Sequence, residues 1–375
     1  MSCLVAARRL VCGDGFDGPG WLHVDGPRVL ERGRGEAPRP ADLVLDTVIP
    51  GCLDPHVHGA VGVDFATPGT DPGPALQHHH RAGSTTLLAS LATAPLNDTL
   101  RRLAELAPVV AAGDLAGLHL EGPWLAPAQR GAHHPALLRH PRRRDAEALL
   151  SAGSGTVRMV TLAPELPGAP DVVAHLVDAG VVVAIGHTGA DTDTVRRCLD
   201  AGARVATHLF NGMPPLHHRR PGPVGVALDD QRVSVELIAD GHHLHDTVLD
   251  LALGSTRGRA CLVSDAMAAT GLGDGDHVLA GSAVRVRDGV AELADGSSLA
   301  GSTTPLALAA LRLLRRGTPV PDVVSLTSTV AARTLGLPVP HLQAGEPADL
   351  VEFRLSGGAG EATLGRTARR GSWLG

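Results

Sequence analysis

Two histidines stand two positions apart in residues 50–59, which read PGCLDPHVHG. Side chains of an extended strand alternate between two faces, so His56 and His58 point to the same side and can bind one ion together. The pair follows an apolar run and precedes a glycine, which predicts a strand that delivers both imidazoles at its carboxyl end. The chain has 20 histidines, and a surface pair that binds nothing is the competing interpretation.

Acidic residues and histidines also close five later apolar runs. They are Glu121, His187, His208, Asp240 and Asp265. In a barrel of parallel strands the carboxyl ends meet at one mouth, where catalytic groups gather. A single histidine after a buried strand is more often structural, but chance accounts poorly for all of these residues together. Four imidazoles and the carboxylates around one mouth predict a site for one or two divalent ions of the Zn or Fe class.

The residue types that are missing restrict the chemistry. All 33 basic residues are arginine, so the chain has no lysine, and it has no tyrosine. A Schiff-base lysine, a Walker lysine and a carbamylated-lysine bridge between two metals are therefore excluded. Glu121 is the candidate bridging ligand. Asp265, after the last strand, is the candidate acid/base that takes a proton from a metal-bound water and passes it to the leaving group.

The secondary structure that positions these residues can be predicted from the order of apolar and amphipathic segments in the chain. From residue 49, apolar runs alternate with amphipathic stretches rich in Ala, Leu and Arg, which is typical of parallel β/α units. Eight such units over roughly 280 residues match the size of a TIM barrel. An open doubly wound sheet is the alternative, but the first turn lacks its G-x-G-x-x-G fingerprint.

The predicted fold class is α/β, a (β/α)8 TIM barrel with a small β-sandwich domain formed from both chain ends. Short strands and turns in residues 1–48 and one more strand in residues 339–375 form the small domain, since both ends otherwise carry unpaired edges. The catalytic barrel takes residues 49–338. Alternating runs broken by Asp-Gly predict an inserted hairpin near 275–300.

Composition narrows the functional class. The net charge of −6 and a pI near 6.4 argue against a nucleic-acid surface. No apolar stretch is long enough to span a membrane, and the amino terminus lacks a secretory segment. The five cysteines are scattered, which predicts reduced thiols in a cytoplasmic protein.

The three consecutive histidines 78–80 are expected to face solvent.

Several motifs resemble those of the N-acetylglucosamine-6-phosphate deacetylase family of the amidohydrolase superfamily. The matching segments are 50–59, 117–125 (GLHLEGPWL), 131–135, 185–190, 207–216 (THLFNGMPPL), 238–243, 263–271 and 299–302. The resemblance runs almost from end to end. The Glu-Gly-Pro-Trp and His-Leu-Phe-Asn segments are specific to this family rather than to amidohydrolases at large.

The resemblance implies roles for individual residues. The core metal ligands would be Glu121, His187 and His208, while His56 and His58 match a pair that supports a second ion in some members and is lacking in others. Asp265 would be the catalytic acid/base and a further metal contact. The presence of His56 and His58 allows one or two ions per subunit. Zinc is the expected metal, and iron is the alternative.

Substrate contacts are implied in the same way. Ala132 and His133 fall on a loop whose histidine helps polarise the acetyl carbonyl. The sugar phosphate would be held at Asn211, Gly212, Arg219 and His243, and the acetamide by backbone at Leu299, Ala300 and Gly301. Some phosphate contacts in this family come from the neighbouring subunit, which implies a homodimer. The chain departs from the family pattern at Gly212, where alanine is common. It also has His242 directly before the matching His243, where an apolar residue is frequent, and Arg220 directly after the matching Arg219.

The predicted function is hydrolysis of N-acetylglucosamine 6-phosphate to glucosamine 6-phosphate and acetate by a metal-activated water, in amino-sugar catabolism and cell-wall sugar recycling. One alternative is another amidohydrolase, such as a D-aminoacylase or a dihydroorotase-like amidase, although the lysine bridge of the latter is impossible here. A second is a non-catalytic sugar-phosphate sensor on the same barrel. A sensor would have damaged ligands or lack the acid, and neither defect is seen.

Overall fold

A computed structural model describes residues 2–279, 281–355 and 359–374. The predicted domain ranges and the predicted insertion also include residues 1, 280, 356–358 and 375, which lie outside the described residues. The strands, in chain order, are β1 (Ser2–Val11), β2 (Asp17–Asp25), β3 (Arg28–Arg34), β4 (Leu43–Pro50), β5 (Cys52–Val57), β6 (Gly59–Ala60), β7 (Val63–Asp64), β8 (Ser84–Ala92), β9 (Gly117–Glu121), β10 (Val157–Leu162), β11 (Val182–Ile185), β12 (Val205–Ala206), β13 (Ser234–Ile238), β14 (Ala260–Val263), β15 (Gly275–Leu279), β16 (Ser282–Arg287), β17 (Val290–Leu293), β18 (Leu350–Arg354), β19 (Thr363–Arg369) and β20 (Ser372–Leu374).

The helices begin after the first seven strands and mostly separate the later ones. They are α1 (Gly73–Arg81), α2 (Leu96–Ala111), α3 (Arg143–Gly153), α4 (Ala169–Asp178), α5 (Thr192–Asp200), α6 (Gly222–Asp229), α7 (Asp246–Ser255), α8 (Leu306–Arg315), α9 (Val320–Val324) and α10 (Val330–Thr334). Among the described residues, no helix is both long and apolar enough to cross a membrane.

The chain divides into two compact units. The first comprises Met1–Asp54, Gln77–Thr86 and Pro305–Gly375, and the second comprises Pro55–Leu76 and Leu87–Thr304.

The sheet of the first unit joins the two chain ends. Its seven strands are hydrogen-bonded in the order β20-β19-β18-β4-β1-β2-β3. Strand β18 pairs antiparallel with β4, so the carboxyl-terminal segment covers an edge that the amino-terminal strands leave open. At the start of β4 Val44 is 62% exposed and Leu45 is 3% exposed over a hydrophobic cluster, as side chains on alternate faces require, and from Thr47 on the whole strand is buried.

The second large sheet is the predicted barrel. Its eight strands run in the order β14-β13-β12-β11-β10-β9-β8-β5, and the pairs for which register is defined are parallel. Beyond the end of β14, the Asp265 N–H donates to the His56 carbonyl over 2.9 Å and Ala266 bridges Val57, so the first and last strands meet. The predicted fold class, a (β/α)8 barrel with a small β-domain formed from both chain ends, is confirmed; the small domain, predicted as a β-sandwich, contains the seven-stranded sheet described above.

Three strands of this barrel end in the same unusual turn. His187, His208 and Asp265 each lie two residues beyond a strand end and have left-handed backbone conformations, with φ of 47°, 28° and 49°. Residues other than glycine adopt this conformation at a cost and keep it where the surroundings enforce it, often at functional sites. The turns bend the chain sharply, so that side chains leaving different strands converge over the barrel mouth.

Two features differ from the sequence-based expectation. The insertion is a three-stranded antiparallel meander, β15-β16-β17, where a hairpin was expected, because the chain turns again at Asp288-Gly289. The prediction that the histidine run faces solvent is wrong, since His79 is fully buried and His80 is 7% exposed. Consecutive helical residues lie about 100° apart, so three neighbours of α1 cannot share one exposed face.

Candidate active site

Most of the predicted site residues line a cavity at the barrel mouth. Its lining consists of His58, Ala92, Glu121, Gly131, Ala132, His133, His187, His208, Asn211, Gly212, His243, Asp265, Leu279, Ser298, Leu299 and Gly301. Three predicted residues are not among them. His56 is fully buried behind the lining, Ala300 is buried with its N–H donated to the Ala291 carbonyl, and Arg219 is exposed.

Glu121, the last residue of β9, lies at the centre of the imidazoles. Its Oε1 atom is 2.9 Å from His208 Nε2 and 3.1 Å from His187 Nε2. Its Oε2 atom is 3.1 Å from His58 Nε2. One carboxylate therefore faces ligand candidates from three other strands.

A second group of donors lies beside it. His58 Nε2 is 3.2 Å from both His56 Nε2 and Asp265 Oδ1, and these three residues can offer one ligand atom each to a common point. Glu121 and His187 belong to another such group together with His133. His208 Nε2 joins this latter group through its contacts with Glu121 Oε1 and His187 Nε2, the second of them over 3.1 Å. The structure thus brings the predicted ligands into two adjacent clusters, both buried.

The spacing of these atoms fits a divalent cation. Four ligands arranged as a tetrahedron about 2.0–2.1 Å from a zinc ion lie roughly 3.3 Å from one another. The distances among the donor atoms His56 Nε2, His58 Nε2 and Asp265 Oδ1 run from 3.2 to 3.5 Å, as three corners of such a tetrahedron require. Imidazole nitrogens and carboxylate oxygens are also the donors that Zn and Fe accept. The residues present therefore fit the metal that the barrel mouth was predicted to hold.

Hydrogen bonds on the far side of two imidazoles determine which nitrogen is free to bind a metal. His58 Nδ1 lies 3.1 Å from the Ser90 carbonyl, and His187 Nδ1 lies 2.8 Å from the Gln129 carbonyl. A carbonyl oxygen only accepts, so both Nδ1 atoms carry the proton. Nε2 is then the nitrogen of each ring that is left to bind a metal, and it faces the cluster.

His133 has the opposite arrangement. Its Nδ1 accepts a hydrogen bond from the Thr93 N–H over 3.3 Å, so the neutral ring carries its proton on Nε2. Burial lowers the pKa of His133 despite the neighbouring Glu121 carboxylate, which keeps the ring neutral. Its Nε2, 3.3 Å from Glu121 Oε2, is therefore a hydrogen-bond donor directed into the cavity rather than a metal ligand.

The two central carboxylates are ionised. Burial alone raises the pKa of a carboxyl group, but the charge of His56 and hydrogen bonds from neighbouring imidazoles outweigh that effect. The pKa of Glu121 is held well below its ordinary value, and that of Asp265 is lowered to about 2. Both side chains thus present anionic oxygens at neutral pH.

The lining of the cavity also contains the predicted phosphate residues Asn211, Gly212 and His243. Gly212 has φ of 61°, and a Cβ atom there would lie 2.8 Å from His187 Nδ1. Glycine at this departure from the family pattern therefore relieves both backbone strain and crowding. Four further lining residues, Ala92, Gly131, Leu279 and Ser298, were not predicted as contacts. Leu279 comes from the meander, and no local motif signals it.

The comparisons with known proteins agree with this geometry. The model of the amidohydrolase family matches residues 47–364. A metal-dependent hydrolase of the amidohydrolase type is the class that the barrel and its buried ligand cluster define.

Individual relatives show to which family of amidohydrolases the chain belongs. N-acetylgalactosamine-6-phosphate deacetylase of Escherichia coli O157:H7 is 37% identical over 298 residues, which cover 78% of this chain and 79% of the relative. N-acetylglucosamine-6-phosphate deacetylase of Bacillus subtilis (strain 168) is 34% identical over 330 residues, covering 84% and 82%. A mutant N-acetyl-D-glucosamine-6-phosphate deacetylase from Mycobacterium smegmatis, solved in complex with N-acetyl-D-glucosamine-6-phosphate, matches with a TM-score of 0.93 at 40% identity over 100% of this chain and 99% of that one. The chain belongs to the N-acetylglucosamine-6-phosphate deacetylase family of amidohydrolases.

His243 provides a test of the electrostatics of the cavity wall. Burial lowers its pKa, but the hydrogen bond between His243 Nδ1 and Asp240 Oδ2 over 2.8 Å outweighs burial and raises it. A raised pKa means that the imidazolium stabilises the fold below the ordinary value of about 6.5, a contribution lost as the pH rises through the folded value. We expect Asp240→Asn to lower the pKa of His243, measured by NMR titration of its ring protons.

The matched control is Asp276→Asn, which removes an exposed carboxylate that pairs with Arg285. It should leave the titration of His243 unchanged. An unaltered His243 titration in Asp240→Asn would show that the aspartate is not the source of the raised pKa.

Proposed function

We propose that this chain hydrolyses N-acetylglucosamine 6-phosphate to glucosamine 6-phosphate and acetate. The observation that supports this most is one cavity lined by buried imidazoles and carboxylates of the two ligand clusters, with the Nε2–H of His133 directed into it. The family relation to a Mycobacterium smegmatis enzyme solved with that sugar phosphate supports the substrate. The galactosamine epimer is the second candidate substrate, because the Escherichia coli relative is named for it.

The proposed cofactor is zinc, with iron as the alternative. Glu121, His187 and His208 would hold the first ion, and His56, His58 and Asp265 the second, with Glu121 shared. When bound, such an ion polarises a carbonyl oxygen and lowers the pKa of a water molecule.

The side chains of this chain would move the protons. Asp265, ionised and at the inner wall, accepts a proton from the attacking water, whose oxygen bonds to the acetyl carbon. His133 Nε2–H donates to the carbonyl oxygen as negative charge develops there. Asp265 then returns the proton to the sugar nitrogen as the C–N bond breaks, which yields a free amine and acetate.

The remaining contacts would hold the sugar phosphate. Asn211, Gly212 and His243 line the wall assigned to the phosphate, and Leu299 and Gly301 lie where the acetamide is expected. Arg219 is exposed and outside the lining, so we propose that it reaches the phosphate of a neighbouring subunit in a homodimer. The enzyme would act in the cytoplasm, in amino-sugar catabolism and cell-wall sugar recycling.

We also propose a division into domains that keeps the chemistry in one part of the chain. Residues 49–338 would form the catalytic barrel, with the insertion near 275–300, and residues 1–48 and 339–375 the small β-domain. The pairing of β18 with β4 supports the joining of the two ends.

Acetate release tests the activity and the acid/base together. The parent should release acetate from N-acetylglucosamine 6-phosphate, and Asp265→Asn should bind the substrate while losing ~10²–10⁴ in turnover. The matched control is Asp288→Asn, since Asp288 has the same left-handed backbone, with φ of 50°, in an exposed turn. A parent that releases no acetate from either phosphorylated epimer would exclude the proposed function, and an active Asp265→Asn would exclude the assigned base.

Elemental analysis tests the division of the ligands. The parent should hold two ions per chain, and the His56→Ala, His58→Ala double variant should keep one, with reduced but measurable activity. Replacing Glu121 should be more damaging, since it removes a ligand from both clusters. The exposed pair His140→Ala, His242→Ala is the control and should retain both ions. If the histidine double variant binds no metal, His56 and His58 belong to the primary site.

Mixed subunits test the homodimer. Arg219→Ala and Asp265→Asn proteins should each be weakly active on the phosphorylated sugar. A hybrid contains one site that combines an intact Asp265 from one subunit with an intact Arg219 from the other. Mixing the two after dissociation should therefore restore activity. No recovery, in a mixture shown to contain hybrids by mass spectrometry, would place Arg219 in its own subunit's site or outside both.

A further inference from the structure

A buried acid that neither the sequence analysis nor the proposed mechanism uses lies directly behind the ligand cluster. Glu236 is on β13, 1% exposed, with its side chain in the barrel interior. We infer that Glu236 is a positioning residue that holds two proposed metal ligands, His56 and His208, in their binding geometry. This inference rests on the metal centre described under the proposed function.

The first contact is to an imidazole. Glu236 Oε2 lies 3.2 Å from His56 Nδ1. A carboxylate accepts, so His56 Nδ1 carries a proton, and Nε2, which faces His58 and Asp265, is the nitrogen left to bind a metal. His56 differs here from His58, whose Nδ1 faces a neutral carbonyl. A carboxylate partner makes an imidazole a stronger ligand than a carbonyl does.

The second contact is to the backbone of another ligand. The same Oε2 atom accepts from the His208 N–H over 3.3 Å, and the Glu236 carbonyl accepts from the Leu209 N–H over 2.8 Å. His208 has φ of 28°, so these bonds hold a backbone conformation that a histidine rarely adopts.

The ring of His208 depends on this support more than its neighbours do. Its Nδ1 is buried and has no hydrogen-bond partner in the described part of the chain, whereas the Nδ1 atoms of His58 and His187 each face a carbonyl. On the side away from the ligand cluster, the His208 ring is therefore held by its backbone and by packing rather than by a hydrogen bond. Glu236 fixes that backbone, and through His56 and His208 it acts on both donor clusters.

A purely structural acid provides the matched control. Glu352 on β18 is 4% exposed and accepts from two backbone groups, the Asp46 N–H over 3.0 Å and the Arg366 N–H over 3.1 Å. It resembles Glu236 in its burial, its strand and its backbone contacts, but it contacts no proposed ligand. Comparing the two separates the loss of a buried carboxylate from the loss of ligand positioning.

The experiment measures zinc retention by the zinc-loaded protein against a competing chelator, without substrate. Glu236→Gln should weaken zinc affinity by about 10–100-fold, while Glu352→Gln leaves it unchanged even if its melting temperature falls. Equal zinc affinity in Glu236→Gln and the parent would overturn the inference. Since no substrate is present, a parent that binds zinc but releases no acetate excludes the proposed reaction without bearing on Glu236.

A second measurement covers the case in which Glu236→Gln does not fold. In the zinc-loaded parent labelled with ¹⁵N-histidine, the signal assigned to His56 by its absence in His56→Ala should show a proton on Nδ1 and none on Nε2. A His56 ring protonated on Nε2 would overturn the inference, because Glu236 would then not orient it toward the metal.

Discussion

The contact of one buried carboxylate with three imidazole nitrogens is the interaction on which the site depends. Glu121 reaches His58, His187 and His208 within 3.1 Å, and each imidazole comes from a different strand end. Burying ionised and polar groups so close together is costly unless their charges are balanced. A cation of the right size balances them, and the eight-stranded ring keeps the donors in place. Much of the surrounding structure, including the carbonyls behind His58 and His187, directs lone pairs toward that point.

The strand ends supply both rigidity and direction. His187, His208 and Asp265 leave the ends of their strands through left-handed turns, which few residue types favour. The free energy lost in these turns is offset by hydrogen bonds that hold them, such as the one between the Asp265 N–H and the His56 carbonyl. A reaction in which a proton moves between a water and a nitrogen needs donors fixed to within tenths of an ångström. Turns anchored to a closed sheet provide that precision better than a free loop.

Most of the fold and the donor set could be predicted from the sequence, because strand periodicity and the two-residue spacing of His56 and His58 are local properties. The contacts that could not be predicted arise between distant residues. Glu236 reads as one more residue of a buried strand, and only the closed barrel brings it to His56. The orientation of His133 depends on the Thr93 N–H, which no sequence pattern reveals. The burial of His79 and His80 likewise depends on what packs against α1.

The meander formed by β15, β16 and β17 contributes to the wall of the cavity but not to the candidate metal ligands. Its residue Leu279 lines the cavity, and its Ser282 hydroxyl donates to the Ala132 carbonyl in the loop that carries His133. The candidate metal ligands all come from barrel strand ends outside this segment. Sequence change in the meander can therefore reshape the wall that faces a sugar while the ligand cluster stays intact. One barrel can in this way give rise to enzymes that share a reaction and diverge in the epimer they accept.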